Sequence, residues 1–266
     1  MLGRAERTAM DSDMPRLFAL QDSANIFEAI IAGLYRAALR PGDLAVDGGA
    51  NEGLHAFPLA DLVGRSGRVL AFEPIAWRAE TLARAAEDRG LPQLRVFAQA
   101  LAERDGAAPF HWVRNADGYS GLRPRARYPV APDVQVLTVP TAALDGLVGD
   151  GGQPWRFAKL DLEGGEFRAL QGAVRALGRH KPLLVFECDR AGSARTYGYG
   201  RDDFFGFFDG LGYRLRDLFG RPFVREAWDS PGYPHYFVGF HAAVGDHDRV
   251  ERAVPDVLRR ALAAAA

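Results

Sequence analysis

Short apolar runs alternate with amphipathic helical stretches along most of the chain, and that alternation admits few folds other than a parallel sheet covered by crossover helices. A helix carrying Ile26, Phe27, Ile30, Ile31, Leu34 and Tyr35 stops near Pro41-Gly42. Leu44 to Asp47 reads as a buried strand, followed by a glycine-rich turn and a helix through about Val63. Arg68 to Glu73 is a second strand, with Pro74 opening the next helix, and Leu94 to Phe97 a third. Strand signals return at Phe157–Asp161 and Leu183–Glu187, with helices over Glu166–Leu177 and Asp202–Leu211. Tyr213–Leu218 and Tyr236–Phe240 form a closing antiparallel pair, and a final helix runs from about Asp248 to Leu262, kinked or divided at Pro255. The expectation is an α/β fold, a doubly wound, Rossmann-like seven-stranded sheet with a loop and β insertion at about 106–140. Such sheets bind ligands at the carboxyl ends of their strands. Residues 1–40 read as an N-terminal helical extension, 41–245 as the main domain and 246–266 as a C-terminal helix.

A chain of 266 residues buries enough surface to need no disulfide or metal staple. Cys188 is the only cysteine, so neither an intramolecular disulfide nor a multi-thiolate metal site can form. Lys and Arg number 33 against 34 Asp and Glu, a balance that argues against nucleic acid as a bulk partner. Lys159 and Lys181 are the only lysines, an arginine bias that fits GC-rich codon usage. No run approaches the ~18 apolar residues of a membrane span. Residues 1–14 lack the apolar core of a signal peptide, so the reading is cytoplasmic, with no membrane partner.

The sharpest motif is Val46-Asp47-Gly48-Gly49-Ala50-Asn51-Glu52-Gly53, where a strand gives way to a helix. Glycines let the backbone turn tightly and approach a ligand closely. The dinucleotide fingerprint wants glycine at three positions, here Gly48, Ala50 and Gly53, and misses in the middle. The S-adenosylmethionine pattern of an acid followed by glycines two and six residues later is met by Asp47, Gly49 and Gly53. Glu73, ending the second strand, suits ribose hydroxyls in either case. Asp47 favours the second, since a carboxylate on the turn repels pyrophosphate and attracts an ammonium group.

The chain resembles the FkbM-type S-adenosylmethionine-dependent methyltransferases over about residues 40–190. The blocks that carry the resemblance are Pro41-Gly42-Asp43 with the glycine turn, Ala71-Phe72-Glu73-Pro74, Ala100 to Gly106, Val139 to Asp145, and Lys159-Leu160-Asp161-Leu162-Glu163-Gly164-Gly165-Glu166. Two departures are mild: Ala102 stands for the usual serine and Gly165 for the usual alanine. The resemblance implies a class I methyltransferase fold, S-adenosylmethionine as cofactor, and O-methylation of a hydroxyl on a sugar or secondary metabolite. By position it places Asp47, Gly48, Gly49, Asn51 and Gly53 around the methionine end, Glu73 at the ribose, and Ala100 and Leu101 near the adenine. Trp77 is a flanking candidate for the adenine, with a core position as the alternative.

A hydroxyl acceptor needs a general base or a metal to lower its pKa. Asp161 with Glu163, and Glu187 with Asp189, end adjacent strands at the ligand edge, and Asp161 and Glu187 are candidate bases and candidate ligands for Mg²⁺. Glu166 reads as a helix-capping partner. Among histidines His55, His111 and His235, the last is the favoured base because Tyr233 to Tyr236 suits a lip over the crevice. Gly118 to Leu122 is a candidate closing loop. Arg114, Arg123, Arg125, Arg127, Arg195 and Arg201 suit either an anionic acceptor or a solvated face. Phe204, Phe205, Phe207 and Phe208 read as a core face with spillover to a homodimer contact, and Cys188 as a buried apolar residue. The expected activity is methyl transfer to a small-molecule hydroxyl. The alternatives are an NAD(P)-dependent oxidoreductase and a non-catalytic cofactor-binding module.

Overall fold

Strand β1 (Leu44–Gly48) is buried along its whole length, as a strand covered on both faces must be. It pairs in parallel with β2 (Arg68–Phe72) on one side and β7 (Trp155–Leu160) on the other. The computed structural model describes residues 26–125, 128–149 and 152–264. Its main sheet has seven strands, ordered β3 (Leu94–Phe97), β2, β1, β7, β8 (Leu183–Glu187), β10 (Tyr236–His241) and β9 (Tyr213–Asp217). Only β10 runs antiparallel to its neighbours. This is the doubly wound, Rossmann-like seven-stranded sheet expected from the alternation of strands and helices.

Alternate residues of the buried strands feed two cores. Ala45, Phe157, Val185 and Val238 face helices α1 (Ile26–Ala38), α2 (Ala56–Val63) and α9 (Gly245–Ala264). Val46, Ala158, Leu184 and Phe237 face the other layer, where Phe204, Phe205 and Phe208 of α8 (Arg201–Gly210) are buried. The phenylalanine run is therefore core. Helix α9 runs unbroken through Pro255 rather than dividing there. Packing against α1 is so close that a Cβ on Gly33 would lie 2.5 Å from Val257, and this contact holds the helix together where the lost hydrogen bond would break it. The single helix expected over 166–177 is two, α5 (Glu166–Gln171) and α6 (Val174–His180), and α7 (Ala191–Tyr197) adds a turn of structure that the apolar pattern did not announce.

The insertion is a small second sheet of β4 (Ala100–Leu101), β6 (Val134–Ala142) and β5 (Gly106–Val113), the last two an antiparallel hairpin. Its inner face contributes Phe110 and Val139 to a minor core with Ile75 and Ala100, so the insertion stands beside the carboxyl end of β2. No helix among the described residues is long and apolar enough to cross a membrane. Residues 1–25 and Arg127 of the sequence reading lie outside the described residues.

Candidate active site

The glycine turn is built by β1 and closed by β2. The N–H groups of Gly49 and Ala50 both donate to the Phe72 carbonyl, at 3.0 and 2.9 Å. Gly49 has φ +75°, and a Cβ there would lie 2.0 Å from the Asp161 carbonyl oxygen. Only glycine lets the end of β1 pass so close to the end of β7. Gly53, at φ +88°, is packed by Phe57 and Leu82 behind the turn.

Above the turn lies a cleft of about 150 Å³, open to solvent, lined by Gly49, Asn51, Glu73, Ala100, Leu101 and Asp161, with Ile75 and Gln99 between them. The insertion supplies the far wall: Phe110, Asp117, Gly118, Ser120 and Leu122 line the same cleft. Asp117 accepts hydrogen bonds from Arg78 and from the Trp112 indole, and Ser120 Oγ accepts from the Val113 N–H. Glu73 is 5% exposed, and its Oε1 accepts the Ile75 N–H at 2.9 Å. Burial raises its pKa, and the Ile75 N–H, Arg78 and the Asn51 N–H moderate the rise. A buried carboxylate with few partners at a strand end is suited to a pair of ribose hydroxyls.

A second cleft is lined by Arg125, Glu163, Glu187, Asp189, Ser193, Arg195 and Tyr197. Glu163 lines both clefts, and Asp161, Glu163 and Glu187 each bring a carboxylate oxygen within 4.8 Å of the others. The geometry thus gathers the two expected acids and Glu163 at one point. Arg125, reaching in from the insertion, ion-pairs with Glu163 and lies 3.9 Å from Glu187. The Tyr236 hydroxyl donates to Asp161 Oδ2 at 2.9 Å, and Lys159 Nζ stands 3.3 Å from the same oxygen. Burial pushes the Asp161 pKa up, but Lys159 and Tyr236 outweigh it and hold the carboxyl below its usual range. Glu187 is driven the other way, well above its usual value, by burial and by the Asp161 and Glu166 charges. The two acids of the pair are thus pushed in opposite directions.

Asp47, Gly48, His235 and Trp77 line neither cleft. Asp47 is 0% exposed, on the α1 side of the sheet beneath the turn. Gly48 is buried with it, against Leu160, Leu101 and Leu162, and shapes the turn from below. His235 is exposed and lines neither cleft, and only its backbone carbonyl is engaged, by the Cys188 N–H. Trp77 is neither core nor adenine wall but 53% exposed, resting on Trp112. Of the other histidines, buried His55 pairs with Glu28, and His111 sits in β5 outside both clefts. Cys188 is buried, with burial pushing its thiol up to about 12, and Glu166 caps its own loop, as both were read. Residues the sequence reading passed over include Arg78, Asp117, Lys159 and Tyr197. Lys159 carried a signal in being one of only two lysines in an arginine-rich chain.

The model of the FkbM methyltransferase domain matches residues 47–215, well over half of the chain. Solved structures similar to it include an FkbM methyltransferase from Methylobacillus flagellatus KT, at 17% identity and TM-score 0.45, covering 88% of this chain and 60% of that one. An rRNA methylase from Streptococcus thermophilus is similar at 15% identity and TM-score 0.43, covering 78% and 91%. An O-methyltransferase from Thermotoga maritima is similar at 13% identity and TM-score 0.42, covering 82% and 65%. The chain therefore spans 60% of the length of the Methylobacillus protein. No curated protein matches its sequence. With its glycine turn, strand-end acids and doubly wound sheet in place, the matched span shows that the chain belongs to the FkbM family of S-adenosylmethionine-dependent methyltransferases.

Proposed function

We propose that the protein transfers a methyl group from S-adenosylmethionine to a hydroxyl of a small molecule, a sugar or secondary metabolite. The observation that carries this reading is the meeting of two clefts at one wall of carboxylates, with Glu163 common to both. A methyl donor in the cleft above Gly49 and a hydroxyl in the cleft beside Tyr197 come together there, the arrangement an in-line displacement needs. When bound, the cofactor supplies an electrophilic methyl group on a sulfonium. Gly49, Asn51, Glu73, Ala100 and Leu101 hold the cofactor, and Asp161, kept ionised by Lys159 and Tyr236, takes the hydroxyl proton. Glu187, whose pKa burial and the neighbouring acids raise, stands beside Asp161 at the same wall. The balanced charge of the chain supports a small acceptor over a polynucleotide. In thermal-shift measurements S-adenosylmethionine and S-adenosylhomocysteine raise the melting temperature and NAD(P) does not. Equal response to NAD(P) overturns the assignment. Glu73→Ala, which loses the ribose hydrogen bonds, weakens S-adenosylhomocysteine binding by about 1–3 kcal/mol in calorimetric titration.

A metal-assisted variant is a second reading, favoured by the Asp161, Glu163 and Glu187 donor set and by Glu187 Oε2, which is buried without a hydrogen bond. Those hard oxygens fit Mg²⁺, which would supply Lewis-acid polarisation of the hydroxyl there. Arg125 ion-pairs with Glu163 and lies 3.9 Å from Glu187, and the metal-free reading rests on it. It expects turnover to survive exhaustive chelation. Loss of turnover with EDTA, restored by Mg²⁺, transfers the role from Arg125 to the metal.

A further inference from the structure

Ionisable side chains form a row under the glycine turn. Glu28 of α1 lies 2.5 Å from His55 Nε2. Burial raises the Asp47 pKa, and Lys159 first, then His55, moderates the rise. Lys159 Nζ lies 4.0 Å from Asp47 Oδ1 and 3.3 Å from Asp161 Oδ2, and donates to the Gly49 carbonyl at 3.5 Å. Tyr236 closes the row on Asp161. The row exists because Asp47 and Lys159 are register partners on adjacent parallel strands and so project to the same face, with Asp161 two residues further along.

We infer that Asp47 and Lys159 are positioning residues: Asp47 serves as the buried counter-ion of Lys159, and Lys159 holds both the Gly49 carbonyl and the Asp161 carboxylate at the wall of the cofactor cleft. Three features support this. Asp47 is inaccessible to water, so a ligand in the cleft above does not reach it. Both its oxygens are buried without a hydrogen bond among the described residues, which leaves it dependent on the nearby Lys159 ammonium. Lys159 is 4% exposed, and a compact ammonium with three N–H donors matches the three oxygens around it, where a guanidinium with five donors in a fixed fork does not. The only other lysine, Lys181, ends α6 in a left-handed C-cap, remote in sequence and role.

The inference rests on the S-adenosylmethionine reading and is tested by titrating S-adenosylhomocysteine into the full-length protein and its Asp47→Asn, Lys159→Met and double variants, with urea midpoints measured on each. Lys159→Met takes from the Asp47 and Asp161 carboxylates the cation they share, so the affinity falls about tenfold or more. Adding Asp47→Asn removes one of those two carboxylates and returns at least about threefold of the loss, with a parallel recovery of the urea midpoint. Asp47→Asn alone changes the affinity by less than about threefold. If Asp47 instead gripped the cofactor's ammonium directly, Asp47→Asn alone costs about tenfold and the double variant binds worse than Lys159→Met, and either result overturns the inference. Should Lys159→Met fail to fold, Asp47→Asn and the double variant still decide it. Failure of the wild-type protein to bind S-adenosylhomocysteine condemns the cofactor reading instead, so the two failures are distinguishable.

Discussion

Gly49→Ala is expected to be the most damaging single substitution in the cofactor site. The added Cβ meets the Asp161 carbonyl at 2.0 Å, a backbone atom that no rotamer change can move aside. The end of β1 has to part from β7, which breaks the Asp161 N–H bond to the Gly48 carbonyl and spoils the turn at φ +75°. Overpacking of a rigid contact together with left-handed strain costs about 3–5 kcal/mol. In a chain of this size that lowers the melting temperature by about 5–9 °C. Gly90→Ala separates strain from space. Gly90 also has positive φ, +66°, but a Cβ there meets nothing within 4 Å, so its cost stays near 1 kcal/mol. Urea midpoints for the two variants check the contrast, and equal costs would mean that conformation, rather than the contact with β7, reserves position 49 for glycine.

Glu166 makes stability fall as the pH rises from about 4.5 to about 7. Its Oε1 accepts the Leu162 and Gly164 N–H groups at 2.6 and 3.2 Å, yet it is buried, and burial lifts its pKa from 4.5 to about 7 despite those bonds, with Asp161 adding to the rise. Below pH 4.5 the group is protonated in both folded and unfolded chains and contributes no pH dependence. Between pH 4.5 and about 7 the unfolded chain has released the proton and the folded chain has not, so the unfolded state gains, by about 3 kcal/mol in full above pH 7. Glu166→Gln keeps an acceptor for the loop N–H groups and cannot ionise. Relative to wild type, the variant therefore gains stability steadily from pH 5 to pH 8 in denaturant titrations. Parallel pH profiles for the two proteins would show that Glu166 ionises as freely in the folded chain as in the unfolded one.

Much of this architecture was legible because strand and helix periodicities are local. Leu183–Glu187 is the strand the apolar run announces, and the closing pair Tyr213–Asp217 with Tyr236–His241 is antiparallel as read. Gly49, Asn51, Glu73, Ala100 and Leu101 share one cleft because each sits at or just beyond a strand end, and a parallel sheet brings its strand ends together. The insertion's part was half legible. Gly118 to Leu122 was visible as a candidate cover, but the ties that place it, Arg78 to Asp117 and Arg125 to Glu163, join residues 39 and 38 positions apart, and no local pattern announces them.

The sequence by itself determined the order of elements, the glycine turn with its acidic partners, and the family to which they point, since each depends on residues close in the chain. Only the tertiary structure decided on which face of the sheet each acid stands. A parallel strand buried on both sides reads as a continuous apolar run, so its side-chain alternation is known but its inward and outward faces are not. Asp47 therefore looked like a ligand residue and stands instead under the turn, opposite Lys159. Asp161, Glu163 and Glu187, separate in sequence, meet at the junction of two clefts because β7 and β8 are neighbours in the sheet, which is where we place the chemistry.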